Sequence, residues 1–77
     1  MNPQQLLNEA WLQRLESICE FVALNGRMPR YKHHSSEYER TLGVWLHNQH
    51  QKRARGNLSS SRHKALDAAL PGWKSRQ

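Results

Sequence analysis

The sequence predicts an all-α fold, a small three-helix bundle with a long basic loop between helices 1 and 2. The chain has 77 residues, a length that suits one domain with a single small core. Apolar residues recur at helical spacing in three segments, and turn residues such as glycine and proline separate these segments. No segment shows the alternation typical of strands. Residues 1–77 are therefore interpreted as one domain.

Helix 1 is predicted over about residues 3–25. Asn2 can cap it, and Pro3 suits the first helical position, where its missing N–H group is not needed. Apolar side chains then fall on one face at steps of three and four residues, and these are Leu7, Trp11, Leu15, Ile18 and Val22. Asn25 and Gly26 end the helix because both tolerate a left-handed conformation.

The basic loop follows over residues 27–36, and helix 2 is predicted over about residues 37–55. Ser36 with Glu39 three residues later matches a capping box. Gly43 lies inside this helix, where glycine costs about 1 kcal/mol relative to alanine. We therefore expect another backbone, from helix 1 or from the loop, to pack closely against Gly43.

Helix 3 is predicted over about residues 60–70, capped by Ser59 and stopped by Pro71 and Gly72. Trp73 then folds back onto the bundle. The three tryptophans are interpreted as core anchors rather than exposed stacking platforms. The predicted structural core consists of Trp11, Leu15, Ile18, Leu42, Gly43, Trp45, Leu58, Leu66, Leu70 and Trp73.

The charge is distributed unevenly along the chain. Its net charge is +6 and its pI about 10.3. Residues 1–26 carry one arginine and three glutamates, a net charge of −2, whereas residues 27–77 carry eleven basic and three acidic residues, a net charge of +8. This asymmetry favours a polyanionic partner, although a basic face can also serve solubility alone.

No apolar run approaches the roughly 20 residues of a membrane span, so no membrane association is expected. One cysteine, Cys19, cannot form an internal disulfide, which suggests a cytoplasmic protein.

The sequence has no motif typical of a catalytic site or of a metal site. There is no glycine-rich phosphate loop, and the acids lie on polar helix faces rather than in pairs. Cys19 falls on the buried edge of helix 1, where a structural role is expected. His47 and His50 share a helix face, but a structural zinc site usually needs closely spaced cysteines as well. We therefore expect no enzyme activity, no metal and no cofactor.

Nucleic acid is the partner that the remaining polar residues favour. Basic side chains recur in the loop, on the outward face of helix 2 and at the start of helix 3, whose N-terminus also favours anions. Asn48, Gln49 and Gln51 can hydrogen-bond to bases or phosphates. The candidate nucleic-acid contacts are Arg27, Arg30, Lys32, Arg40, His47, Gln51, Lys52, Arg53, Arg55, Arg62, His63 and Lys64.

Helix 2 and the residues after it carry a family pattern. It consists of Leu42-Gly43-Val44-Trp45, Gln49, Arg55-Gly56-Asn57-Leu58-Ser59, Arg62, Leu66, Leu70 and Trp73. This pattern resembles the bacterial helicase-associated domain, and Trp11 to Pro29 is similar to its first helix and loop. The resemblance implies a three-helix domain that binds nucleic acid and has no catalytic residues of its own. His50 stands where the family has a basic residue after the glutamine.

Two functions are carried forward. The first is a non-enzymatic module for nucleic acid, with double-stranded DNA favoured over RNA, that binds through a basic face on helix 2 and the start of helix 3. The alternative is a protein-interaction module or small phage-type regulator that docks the same face on an acidic partner protein. The chain starts at Met1 and ends four residues after Trp73. We therefore expect a free-standing copy from a phage or mobile element, as a monomer or weak homodimer.

Overall fold

The computed structural model describes residues 9–73. This part of the chain forms three helices, α1 (Glu9–Asn25), α2 (Glu37–Ala54) and α3 (Ser60–Ala69), and contains no strand. The predicted all-α, three-helix arrangement is therefore confirmed. The proposed cap at Asn2 and Pro3, and the apolar Leu7, lie outside the described residues. Within residues 9–73, the helices are too short or too polar to cross a membrane.

The inward face of α1 is formed by Trp11, Leu15, Ile18 and Phe21, all of which are buried. The first three follow the predicted stripe. Phe21 was not predicted, and it replaces the half-buried Val22 as the last core residue of the helix. Phe21 lies three residues after Ile18, a step that keeps it on the same helical face.

The other side of the core comes from α2, α3 and the residues after α3. Its buried members are Leu42, Leu46, Leu66, Leu70 and Trp73. Trp45 and Leu58, which the sequence analysis placed in the core, are half-buried and pack against its edge. The Trp45 ring lies 5.4 Å from the Trp11 ring, centre to centre. Each fully buried side chain of this size contributes about 1.5–3 kcal/mol to folding.

Serine caps begin both α2 and α3. The Ser36 hydroxyl accepts a hydrogen bond from the Glu39 amide at 3.1 Å, and the Ser59 hydroxyl accepts one from the Arg62 amide at 3.2 Å. These bonds satisfy amide groups that lack helical partners at the first turn. The capping box at α2 is only half formed, because the Glu39 carboxylate has other partners.

Glu39 is a fully buried carboxylate that fixes the connection before α2. Its oxygens accept hydrogen bonds from the Arg30 amide at 2.9 Å and from the amide and hydroxyl of Ser35, both at 2.8 Å. The Arg27 guanidinium pairs with the same carboxylate through both of its terminal nitrogens. This ion pair and the other donors hold the pKa of Glu39 well below its usual range. Three points of residues 27–35 are thereby attached to one side chain.

Gly43 is the second point at which the connection meets α2. A Cβ atom at Gly43 would overlap the backbone of Arg30 and the amide nitrogen of Tyr31. The expectation of a close backbone approach is confirmed, and the backbone is that of the loop. Glycine is needed here because any side chain would push Arg30 and Tyr31 off the helix.

The connection between α1 and α2 spans residues 26–36. Its interpretation as a basic loop is not confirmed, because Arg27 is neutralised by Glu39. Arg30 and Lys32 are exposed. Both side chains belong to the surface that the connection forms with α2.

Candidate nucleic-acid interface

The connection and the C-terminal half of α2 enclose an open groove of about 670 Å³. Its floor includes Gly43 and Leu46, which lie on one side of α2. Polar and aromatic side chains line its walls, and we call this site the loop–helix groove. The wall residues that matter below are Arg30, Tyr31, Lys32, His47, His50 and Gln51.

Five of the predicted nucleic-acid contacts line the loop–helix groove. Arg27, Arg30 and Lys32 come from the connection, whereas His47 and Gln51 come from α2. No aspartate or glutamate is among the described residues that line the groove. The groove therefore places basic side chains of the connection beside a histidine and a glutamine of α2, with no acid among the described residues of its wall.

Tyr31 provides an aromatic surface within the groove. Its ring packs on the His47 ring, with 4.3 Å between centroids and 32° between planes. The Lys32 ammonium lies 5.6 Å from the Tyr31 ring centre, and the His47 Nε2 atom lies 3.2 Å from the Gln51 side-chain nitrogen. The Tyr31 side chain is 39% exposed. In the sequence, Tyr31 is distinguished by its position between two basic residues, Arg30 and Lys32.

The end of the groove is formed by Trp73 and His50. The indole N–H of Trp73 donates to Asp67 Oδ1 at 2.8 Å, which fixes the tryptophan against α3. The His50 ring lies 5.0 Å from the Trp73 ring, centre to centre. His50 therefore packs on an aromatic residue at the position where the resemblance implied a basic residue.

Arg27, one of the predicted phosphate contacts, is engaged by other groups of the protein. Its guanidinium pairs with Glu39, lies 5.3 Å from the centre of the Phe21 ring and donates to the Met28 carbonyl at 3.3 Å. The hydrogen bond to Glu39 raises the pKa of Arg27. The charge of Arg27 is therefore paired within the protein, where it helps to fix the connection.

Gln49 is also used inside the protein. It is buried, and its side-chain oxygen accepts a hydrogen bond from the Trp11 indole N–H at 3.3 Å. Its nitrogen donates to the Trp45 carbonyl at 3.5 Å. Gln49 therefore orients two tryptophans and is not a base-reading side chain.

The end of α2 presents three further predicted contacts, Lys52, Arg53 and Arg55, all of them exposed. None of them pairs with an acid in the part of the chain that the structure describes. Because successive helical residues are turned by about 100°, Lys52 and Arg53 lie on different faces from Gln51. None of the three lines the groove, and we call them the α2–α3 corner.

The predicted contacts on α3 are mostly engaged by the protein. The Arg62 guanidinium lies 5.1 Å from the centre of the Trp11 ring. His63 Nδ1 lies 3.3 Å from Asp67 Oδ2, and the His63 ring meets Trp73 edge-on at 6.0 Å. Lys64 is exposed. The start of α3 therefore contributes little unengaged charge.

Arg40 is exposed on the first turns of α2, with its guanidinium 3.9 Å from the Glu37 carboxylate. The side chains that the sequence analysis assigned to one basic face are thus distributed over the groove, the corner and two further positions, Arg40 and Lys64.

The described residues contain possible metal ligands and one cysteine thiol, that of Cys19. Across residues 9–73, no three side chains of histidine, cysteine, aspartate or glutamate come together as a metal site. Cys19 is half-buried, with its Sγ atom 3.8 Å from the Ala69 carbonyl oxygen. Burial, helped by Glu16, raises the pKa of the Cys19 thiol. A raised pKa leaves little of the reactive thiolate at neutral pH.

The structure is that of a small all-α domain with a tryptophan-rich core and an open groove lined by polar and aromatic side chains. The model of the helicase associated domain family matches residues 8–74, so the chain belongs to this family. The resemblance expected from the sequence is confirmed. No match is found among curated proteins or among solved structures.

Proposed function

We propose that this chain is a non-enzymatic module that binds nucleic acid, with double-stranded DNA as its main ligand. The observation that carries the proposal is the loop–helix groove, where Arg30 and Lys32 face His47 and Gln51. Phosphates bind where cations and hydrogen-bond donors converge without competing acids. Family membership supports the same function, and a chain with a net charge of +6 suits a polyanion.

A duplex would engage both charged surfaces. The side chains of the α2–α3 corner are exposed, so Lys52, Arg53 and Arg55 can contact the phosphates of a duplex laid across them. Arg30 and Lys32 would then hold phosphates at the mouth of the groove. Because one small domain covers a limited stretch of DNA, the affinity is expected to be low and to fall steeply with salt. We propose that the protein acts in the cytoplasm as a monomer or weak homodimer.

The test is a titration of the protein against a labelled duplex of random sequence at about 50 and 200 mM salt. Saturable binding at low salt that is lost at high salt is the expected result. Changing Arg53 and Arg55 to alanine should weaken binding and reduce the salt slope by about two. Arg14→Ala, on α1 and outside both surfaces, is the control for a general change in charge.

Absence of duplex binding at low salt would contradict the proposal. The charged surfaces would then serve an acidic partner protein, the alternative function. That alternative predicts a single stoichiometric protein in a pull-down, retained after nuclease treatment.

A further inference from the structure

The loop–helix groove has a feature that phosphate binding does not require. Tyr31 exposes its ring at the groove wall, and His47 supports that ring from α2 at 4.3 Å. The neighbours of Tyr31 in sequence, Arg30 and Lys32, are both basic and also line the groove. Alternating basic and aromatic side chains are typical of surfaces on which single-stranded nucleic acid stacks.

The shape of the site also distinguishes between paired and unpaired nucleic acid. A duplex is read by elements that protrude into its grooves, such as a helix in the major groove. The loop–helix groove is instead concave, and its volume of about 670 Å³ is that of a site for a small ligand. A nucleotide that has left the duplex stack fits such a site, whereas a base-paired helix remains outside.

We propose that the loop–helix groove binds an unpaired nucleotide, with its base stacked on Tyr31 and its phosphates held by Arg30 and Lys32. The inference rests on the proposed function and deepens it. The α2–α3 corner then holds the duplex, and the groove takes the strand where pairing ends. His47 is a positioning residue, because it supports the ring of Tyr31 while Gln51 lies beside its Nε2 atom.

The chemistry of the groove agrees with this occupant. Stacking accepts any base, since every base has a π-face, so little sequence preference is expected. Gln51 and the histidines offer hydrogen-bond donors and acceptors at the edge of the stacked base. The ligand sought is therefore a DNA end or junction with unpaired nucleotides rather than a particular sequence.

The experiment measures fluorescence anisotropy with three labelled DNAs at low salt. One is a blunt duplex, the second is the same duplex with a short single-stranded thymine overhang, and the third has an abasic overhang of equal length. The abasic overhang keeps the added phosphates and removes only the bases. We expect the thymine overhang to bind about tenfold more tightly than the blunt duplex, from stacking of one or two bases. The abasic overhang should lose most of this gain.

Substitutions locate the effect. Tyr31→Leu should remove the preference for the thymine overhang, whereas Tyr31→Phe should retain it. Tyr38→Leu is the matched control, because Tyr38 is an exposed tyrosine of α2 that does not line the groove. Circular dichroism and urea unfolding establish that each variant is folded.

Each outcome has a defined meaning. Equal affinity for the thymine and abasic overhangs in the unmodified protein would overturn the inference, and this result needs no variant. A preference that survives Tyr31→Leu in a folded protein would overturn it too. In both cases duplex binding would still support the proposed function. Failure to bind any of the three DNAs would instead contradict the proposed function itself.

Discussion

Substitution of Gly43 by alanine tests whether the connection is fixed against α2 as described. Alanine is the best helix former and normally stabilises a helix by about 1 kcal/mol relative to glycine. An added Cβ atom at Gly43 would, however, overlap the backbone of Arg30 and Tyr31. The two effects have opposite signs, so the measured change decides between them.

The structure indicates that the overlap prevails. The atoms that meet the added Cβ are backbone atoms, which cannot turn aside as the end of a side chain can. The Arg30 amide is also held by Glu39 at 2.9 Å, so displacement of this segment strains that hydrogen bond. Overpacking of this kind costs about 1–3 kcal/mol, and the upper part of this range applies to rigid neighbours. After the helix-propensity gain, we expect a net loss of about 1–2 kcal/mol in the free energy of unfolding.

Urea unfolding followed by circular dichroism measures this loss, and thermal unfolding should show a midpoint lower by about 4–16 °C. Asn48→Ala is the control, because Asn48 is an exposed residue of the same helix and should give a small gain in stability. A Gly43→Ala protein as stable as the unmodified protein would refute the close packing of the connection on α2.

Two further predictions concern titratable groups. Because the pKa of Glu39 is lowered in the folded protein, its stabilising contribution is present above the unfolded value of about 4.3 and is lost as the pH falls below it. Melting temperatures between about pH 7 and 3 should therefore fall in acid. Glu39→Gln should melt lower at neutral pH with a weaker acid dependence, and the exposed Glu37→Gln should keep the original one. The Cys19 thiol, whose pKa burial raises, should react with a thiol reagent about tenfold more slowly in the folded protein than in urea. Equal rates would show that Cys19 is accessible.

The features of the fold that the sequence predicts are the local ones. Apolar spacing and serine caps depend on residues within a few positions of one another, which is why α2 and α3 begin where Ser36 and Ser59 indicate. Phe21 was missed because Val22 fits the same stripe four residues after Ile18. Glu39 looked like an exposed capping residue. Its burial depends on donors from Arg27, Arg30 and Ser35 that only the folded connection brings together.

The sequence predicts which residue types occur at the candidate site, but not which of these side chains are engaged elsewhere in the protein. Arg27, Arg62 and Gln49 have the same residue types as the candidate contacts, yet each is engaged by a core side chain. Long polar side chains can reach inward with their charged ends and cover apolar surface with their stems, so residue type does not reveal their direction. Exposure of Tyr31 likewise depends on where the connection lies across α2. The sequence therefore predicts an excess of basic side chains but does not indicate which of them meet in the groove.

The shape of the candidate site is determined by two residues that carry no positive charge. Glu39 attaches the connection at three points, and Gly43 lets its backbone lie directly on α2. Without these contacts Arg30 and Lys32 would remain basic, but nothing would place them opposite His47 in one groove. Charge explains attraction to a polyanion at long range, whereas discrimination between paired and unpaired strands requires a wall of fixed geometry. The buried acid and the helical glycine are thus the residues on which the shape of the groove depends.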